Sequence, residues 1–118
     1  MSTFTVGATL MHPEHRERSA VLDLLVDTGA TYTLLPAEVV AALQLPILEE
    51  RPAELAGGER VVYGVGEVRI RLGERERTTV FLAGPPRCHP LLGAVTLEEF
   101  GLAADPLHQR LFPVPALL

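Results

Sequence analysis

Apolar and polar residues alternate along the segment VRIRLG (68–73). Successive side chains of a strand point to opposite faces, so this pattern predicts a β-strand with one buried face. The segment is the long second arm of a predicted hairpin over residues 52–73, in which Gly57 and Gly58 would form a tight two-residue turn with positive φ angles. The pattern therefore favours a mostly β fold.

Further short strands and two short helices are predicted around this hairpin. The strands are expected at 3–10, 20–27, 33–35, 78–83 and 90–94. The segment AVLDLLVD (20–27) is apolar enough to be buried on both faces. In the long arm, the glycines of GVG (64–66) are expected to mark a bend or bulge.

Proline and capping patterns give the helix boundaries. Pro36 suits the first position of a short helix, and Pro46 ends that segment. Thr96 and Glu99 have the spacing of a capping box at the start of a second helix, which Gly101 would close.

Length and composition indicate one domain, predicted to span residues 1–118. With 47% apolar and 21% charged residues, the chain has enough apolar surface for a core. The formal net charge is −5 and no basic cluster suggests a phosphate-binding face, so nucleic acid is not an expected partner. No apolar run reaches membrane-spanning length and the N-terminus lacks a signal-peptide pattern. Since the single cysteine, Cys88, also fits a reducing compartment, we expect a cytoplasmic protein with no membrane partner.

The segment LLVDTGATYTLLP (24–36) carries the main candidate for chemistry. An apolar run ends on Asp27, and Thr28 and Gly29 turn the chain at once. Asp is common at strand ends because its side chain accepts hydrogen bonds from nearby backbone N–H groups, so this stretch alone favours a turn residue. The alternative is a catalytic carboxylate beside a hydroxyl and a glycine that permits close backbone approach.

Hydrolysis of a peptide bond by carboxylates needs one group to activate water and another to donate a proton. Asp23 lies four residues upstream in the same predicted strand, and Asp105 lies in ADPL without a glycine turn. Neither repeats the Asp-Thr-Gly pattern. If Asp27 is catalytic, the second acid must therefore come from a second copy of the chain.

Three segments, taken in order, resemble the retropepsin-like aspartic proteases, the single-domain relatives of pepsin. They are LLVDTGAT (24–31), the glycine-tipped ELAGGERVV (54–62) and LLGAVTLEEFGL (91–102). The resemblance covers nearly the whole chain. It implies a closed, β-barrel-like fold with one or two short helices and a flap hairpin. It also implies a homodimer with interleaved termini, which the short apolar ends of this chain would suit, and no metal or organic cofactor.

The resemblance also implies roles for particular residues. Asp27 from each of two chains would hold the attacking water, Thr28 hydroxyls would bond across the dimer, and the Gly29 carbonyl would meet an extended peptide or protein substrate. The hairpin tip would close over that peptide, and apolar pockets would flank the cut. The residues implied for substrate binding are Leu25, Ala30, Ala56, Gly57, Gly58, Leu91 and Leu92.

The chain departs from the viral members of that family at one pair of positions. Those enzymes often carry an acid shortly after the Asp-Thr-Gly-Ala and an arginine after the later glycine, and the two form an ion pair. Thr31 and Ala94 occupy these positions here. Both charges are missing together, so the expected dyad is unaffected, but the bracing of this region must differ.

Two other functions are compatible with parts of the sequence. Haloacid-dehalogenase-type phosphatases also place an Asp after an apolar strand, but they need a second Asp where Gly29 stands. A dimeric module on the same fold that binds peptides or assembles without catalysis is the main alternative to a protease.

Three residues outside this segment suggest other chemistry only weakly. His12 and His15 have a spacing found in metal sites, but they lie among polar residues, where solvated side chains are expected. Cys88 is expected to be a surface thiol.

Overall fold

The computed structural model describes residues 3–118, and seven of the strands in this range form one sheet that closes into a ring. The expected mostly β fold with two short helices is confirmed. The elements are β1 (Thr5–Met11), β2 (Ser19–Val26), β3 (Thr33–Leu35), α1 (Ala37–Leu43), β4 (Glu49–Glu54), β5 (Arg60–Leu72), β6 (Arg75–Ala83), β7 (Leu91–Leu92), α2 (Ala94–Phe100), β8 (Leu102–Asp105) and β9 (Arg110–Pro113).

The long strand β5 closes the ring, because one of its edges pairs with two different strands. The sheet order is β1-β2-β7-β3-β6-β5-β4, and β1 also pairs with β5. On the same edge of β5, residues 60–65 pair with β4 and residues 69–71 pair with β1. On the other edge, β6 pairs with residues 64–72. The hairpin of β4 and β5 therefore extends beyond the ring.

The predicted alternation along β5 is confirmed and supplies one wall of the core. Val68 and Ile70 are fully buried, whereas Arg69 and Arg71 between and beside them face outward. The other fully buried apolar side chains come from strands around the ring and from α2; they are Leu10, Leu24, Leu35, Phe81, Leu92 and Phe100.

The prediction that residues 20–27 are buried on both faces is wrong. Leu24 and Val26 lie in the core, but Val21 is 78% exposed and Asp23 is also exposed. The reason is that β2 belongs to a ring whose inner face alone is filled, so one side of the strand faces solvent.

The hairpin turn is wider than the predicted two-residue turn. Leu55 and Glu59 close the loop through a hydrogen bond from the Leu55 N–H to the Glu59 carbonyl (2.8 Å), and the Gly58 N–H donates to the Leu55 carbonyl (2.8 Å). Gly58 has φ +89°, and Gly57 lies outside the positive-φ region. This is a β-turn followed by one residue with positive φ, a common form of three-residue hairpin loop.

The predicted boundaries hold for the first helix and fail at the start of the second. Pro36 is the N-cap of α1, one residue before the predicted position, and Gly101 closes α2 with φ +67° as expected. The N-cap of α2 is Gly93, so the prediction of a capping box formed by Thr96 and Glu99 is wrong. Thr96 lies inside the helix and is fully buried.

The two strand glycines of GVG mark close packing and not a bulge. The β5–β6 register continues without interruption through Gly64 and Gly66. A Cβ atom at Gly66 would lie 2.5 Å from the Pro46 carbonyl oxygen and 2.8 Å from the Phe81 ring. The segment after α1 and the core therefore leave no room for a side chain there.

The two ends of the chain differ in the strands with which they pair. The N-terminal strand β1 pairs with β2 along its length and with β5 through Thr9–Met11, so it is built into the ring of its own chain. At the other end, β8 and β9 form a separate two-stranded sheet that the sequence did not predict. Beyond it, Leu117 and Leu118 are fully exposed. Within residues 3–118, no helix has the length and apolar character needed to span a membrane.

Candidate active site

Asp27 follows the last residue of β2 and is held by backbone hydrogen bonds. Its N–H donates to the Leu92 carbonyl (3.1 Å), and its carbonyl accepts from the Ala30 N–H (3.2 Å). Its side-chain oxygen Oδ1 accepts from the Gly29 N–H at 3.0 Å. Asp27 is therefore a turn residue as its sequence context suggests, and the turn also fixes one carboxylate oxygen in a half-buried position.

Gly29 leaves space beside this carboxylate. A Cβ atom at position 29 would lie 3.3 Å from Asp27 Oδ1, which is closer than ordinary van der Waals contact. Any larger residue would crowd the group, so glycine keeps the carboxylate accessible next to the turn.

The two-residue strand β7 supports the loop between β2 and β3, which carries Asp27. It is inserted between β2 and β3, pairing Leu25 with Leu91 in parallel and Leu34 with Leu91 in antiparallel fashion. Directly after it, Gly93 passes so close to the preceding loop that a Cβ atom would lie 2.4 Å from the Tyr32 carbonyl carbon. The crossing of two backbones thus requires glycine at this point.

A chain of buried hydroxyl groups anchors this crossing. The Gly93 N–H donates to Thr33 Oγ1 (3.1 Å), Thr33 Oγ1 lies 2.7 Å from Thr96 Oγ1, and that atom lies 2.9 Å from Thr79 Oγ1. The Thr79 hydroxyl donates to the Glu99 carboxylate. Because a hydroxyl has one proton and the carboxylate only accepts, the direction of donation is fixed from Gly93 through the three threonines to Glu99.

Backbone hydrogen bonds brace the region where the viral enzymes carry an ion pair. The Ala94 N–H donates to the Ala30 carbonyl (2.8 Å), and the Val95 N–H donates to the Thr31 carbonyl (2.9 Å). These are orphan donors of the first turn of α2, which a helix cannot satisfy internally. The helix start and the loop after Asp27 are joined in this way without charged side chains.

A cleft of about 620 Å³ lies between this loop and the hairpin of β4 and β5. Asp27 is at one side, and the first arm and tip of the hairpin form the other. The lining residues are Asp27, Gly29, Ala30, Thr31, Tyr32, Leu34, Arg51, Pro52, Ala53, Glu54, Leu55, Ala56, Tyr63, Leu82 and Leu91.

The structure brings some of the sequence-predicted site residues to this cleft and leaves others outside its lining. Those that line it are Asp27, Gly29, Ala30, Ala56 and Leu91. Thr28 is exposed at the tip of the loop, and Gly57 and Gly58 are exposed at the hairpin tip. Leu25 is half-buried and lies outside the lining, and Leu92 is fully buried in the core.

Sequence reasoning missed Tyr32, Arg51 and Tyr63 as lining residues. Arg51 and Ala53 are the half-buried positions of β4, between more exposed neighbours. The sequence EERPAE (49–54) shows no alternation of apolar and polar residues, so it gave no signal that Arg51 would line a cleft.

Two further expectations from the sequence are corrected outside the cleft. His12 is buried rather than solvated, with Nδ1 accepting from the Glu14 N–H (3.0 Å) and its ring edge against His15. Cys88 is half-buried rather than a surface thiol, and burial raises its pKa. Residues 3–118 contain no cluster of three or more His, Cys, Asp or Glu side chains that could hold a metal.

A closed β ring with an Asp-Thr-Gly turn facing a cleft beneath a hairpin defines the retropepsin-like class of proteins. A model of the aspartyl protease family matches residues 17–96, and the chain belongs to this family. The matched range includes the Asp27 turn, the hairpin and the start of α2.

Solved structures show the same fold at low sequence identity. The chain is similar to EIAV protease complexed with the inhibitor HBY-793 (TM-score 0.62, 21% identity, 82% of this chain and 86% of that one). It is also similar to the retroviral protease-like domain of Ddi1 from Leishmania major (0.65, 12%, 96% and 89%). A third similar structure is a retropepsin-like aspartic protease from Rickettsia conorii (0.59, 20%, 87% and 76%). No curated protein sequence matches the chain significantly.

Proposed function

We propose that the protein is a homodimeric aspartic endopeptidase in which Asp27 of each chain supplies half of the catalytic dyad. The observation that carries this proposal is the Asp27 turn itself, with one carboxylate oxygen fixed by the Gly29 N–H and the residue open to a cleft of peptide-binding size. Membership of the aspartyl protease family supports the same chemistry.

The reaction needs two carboxyl groups with different protonation. Two neighbouring carboxylates cannot both ionise cheaply, so the pair shares one proton. The ionised Asp27 takes a proton from a water molecule, whose oxygen attacks the carbonyl carbon, while the protonated one donates to the carbonyl oxygen. Proton transfer to the nitrogen then releases the amine. This mechanism uses no metal or organic cofactor, and acidic to mildly acidic solution should favour it.

A second chain is required because one cleft does not offer a second matching acid. Apart from Asp27, the acidic side chain that lines the cleft is Glu54, which lies on the hairpin and pairs with Arg60 at 3.7 Å. A twofold axis beside the Asp27 loop would bring the two turns together, with the exposed Thr28 side chains between the chains. A C2 arrangement of this kind is the commonest form of homo-oligomer.

The hairpin is the element that would enclose the substrate. Leu55 and Ala56 at its tip and Tyr63 on its second arm line the cleft opposite Asp27. Residues 60–63 pair with β4 alone, so the tip stands free of the ring and is able to move over an extended peptide. In such clefts main-chain pairing gives affinity and side-chain pockets give selectivity.

The first experiment is cleavage of a panel of unstructured peptides by wild-type protein and by Asp27→Asn. We expect cleavage that a statine-containing peptide inhibits, and a loss of at least about a thousandfold in the variant because the dyad no longer holds an acid and a base. Asp23→Asn is the matched control, since Asp23 is an exposed carboxylate of β2, four residues upstream. Binding of the peptides by wild-type protein without any cleavage would favour the non-catalytic module.

A mixing experiment tests whether the site is shared. Wild-type and Asp27→Asn chains are allowed to exchange at equal concentration. If each site needs both chains, random pairing leaves about one quarter of the dimers active, and so about one quarter of the activity of wild-type protein at the same total chain concentration. A site complete within one chain would leave about one half of that activity. Retention of half the activity, or full activity in a strictly monomeric protein, would contradict the shared dyad.

A further inference from the structure

A cationic side chain lies in the cleft beside the loop that carries Asp27. The guanidinium of Arg51, on the first arm of the hairpin, lies over the ring of Tyr32 with 5.2 Å between the guanidinium carbon and the ring centroid. Both residues line the cleft. Tyr32 is five residues after Asp27, so Arg51 contacts the loop that carries Asp27.

The side chain of Arg51 is one of the two half-buried side chains of β4. Arg51 and Ala53 are half-buried, whereas Glu50, Pro52 and Glu54 are exposed, and Pro52 and Glu54 border the cleft from the exposed side. The stacking on Tyr32 restricts the long side chain to one region, because a guanidinium is attracted to the face of an aromatic ring. A side chain ordered in this way loses less conformational entropy when it binds a ligand.

Most N–H donors of the Arg51 guanidinium are not used in hydrogen bonds within the described residues. Within residues 3–118 it donates one hydrogen bond, from Nη2 to Glu49 Oε1 (2.8 Å). An arginine carries five N–H donors. The two side chains of this pair are 37% and 55% exposed, and ion pairs of that exposure contribute little to stability, so an incoming carboxylate can replace or join Glu49 at low cost.

We propose that Arg51, held by Tyr32, forms a substrate subsite that selects an acidic side chain of the peptide. Arg51 is the cationic residue in the lining, and its planar fork matches a carboxylate. In a twofold dimer the subsite occurs once on each side of the dyad, so peptides with Glu or Asp on both sides of the cut should be the preferred substrates. This inference rests on the proposed function of the cleft.

The experiment uses matched peptides that differ only by Glu, Gln or Lys at each position within four residues of the cut. Wild-type protein should cleave the Glu peptide with a kcat/KM about tenfold above that of the Gln peptide at the responsive position. The reason is that a hydrogen bond between two charged groups contributes more than one to a neutral amide, and the difference corresponds to about tenfold in binding. In Arg51→Gln the ratio should fall to about one. In Arg51→Glu the Lys peptide should become the best substrate.

Arg77→Gln provides the control, because Arg77 is an exposed arginine of β6 that does not line the cleft. It should keep the wild-type ratio. A ratio that is unchanged in Arg51→Gln, or that falls equally in Arg77→Gln, would overturn the proposal and leave the stacking on Tyr32 as a purely structural contact.

A binding measurement separates this inference from the proposed function. With Asp27→Asn protein, the Glu peptide should bind more tightly than the Gln peptide, and the difference should disappear in Asp27→Asn combined with Arg51→Gln. Selective binding without turnover in wild-type protein would reject the protease and keep the subsite. Turnover without any Glu preference would keep the protease and reject the subsite.

Discussion

At the scale of single residues, the turn that holds Asp27 has a geometry that the proposed catalytic role could also use. Its Oδ1 accepts from the Gly29 N–H, as in many aspartates at strand ends. That bond leaves the second oxygen for other partners, and Gly29 keeps the space beside the group open. The local bond therefore does not argue against catalysis, because it fixes the carboxylate that the proposed dyad would need.

The buried hydroxyl chain makes Thr33 a position at which a small chemical change should have a large effect. Replacing it with Val keeps the shape but leaves the Gly93 N–H without its acceptor and Thr96 without a donor. We expect Thr33→Val to lower the free energy of unfolding by about 1–3 kcal/mol, the cost of unsatisfied buried polar groups. Urea denaturation measures this change.

Two variants make that measurement interpretable. Thr33→Ser keeps the hydroxyl and loses a methyl group, so it should be the milder change if the hydrogen bonds matter most. Thr78→Val removes a threonine hydroxyl from the exposed face of β6, where it accepts a solvent-exposed hydrogen bond from Arg69 Nη1 (3.2 Å), and should change stability by less than about 0.5 kcal/mol. A Thr33→Val protein as stable as the wild type would show that the chain of hydroxyls contributes nothing to the fold.

The sequence predicted those candidate site residues that belong to a local pattern. Asp27, Thr28 and Gly29 stand together in one turn, and the order of the three matching segments gave them a context. The Tyr32–Arg51 contact and the Thr33–Thr96 bond could not be predicted in the same way. Each joins residues that are distant in sequence, and each depends on how the strands pair around the ring.

At the scale of elements, the hairpin tip depends on one of its two glycines. Gly58 has φ +89°, and a Cβ atom there would meet nothing within 4 Å, so strain and not space limits substitution at this position. Gly57 lies outside the positive-φ region, and a Cβ atom there would come no closer than 4.0 Å to Glu59 Oε1. The two neighbouring glycines should therefore respond differently to the same substitution.

We expect Gly58→Ala to weaken the tip by about 1 kcal/mol, the cost of placing an alanine in the left-handed region. The Leu55 amide, which bonds to Glu59 across the loop, should then exchange with solvent roughly fivefold faster. Gly57→Ala should leave its exchange rate nearly unchanged. Hydrogen exchange of the hairpin amides measures both, and equal effects of the two variants would contradict the assigned turn geometry.

Some predictions of helix starts and strand burial failed because the same local sequence pattern can arise for more than one structural reason. Thr96 and Glu99 have capping-box spacing, but Thr96 belongs to the buried hydroxyl chain across β3 and β6, and the Glu99 carboxylate accepts the hydrogen bond at its end. The apolar run of β2 predicted burial on both faces, yet Val21 is exposed because the ring has one filled side. The alternation of β5 was the more reliable guide, since a period of two directly fixes which face is buried.

At the scale of the whole molecule, a charged cluster joins three separate segments of the chain. The Glu76 carboxylate accepts from Arg16 in the loop before β2 and from Arg69 and Arg71 on β5. The side chain of Glu76 is 15% exposed. The hydrogen bond from Arg16, followed by that from Arg69, lowers the pKa of Glu76 to about 2 from its ordinary value of 4.5.

The lowered pKa predicts a specific dependence of stability on pH. A carboxyl group whose pKa is lower in the folded state stabilises that state above its unfolded pKa, and the contribution is lost as the pH falls through the folded pKa. Glu76→Gln should therefore be less stable than wild type at pH 7. The difference should shrink as the pH falls from about 4.5 to about 2, where wild-type Glu76 itself becomes protonated. Urea midpoints measured across this range test the prediction. Glu67→Gln is the control, because Glu67 is an exposed glutamate on the neighbouring strand β5. A difference that stays constant down to pH 2 would mean that the substitution acts through packing and not through the charge that Glu76 shares with its three arginines.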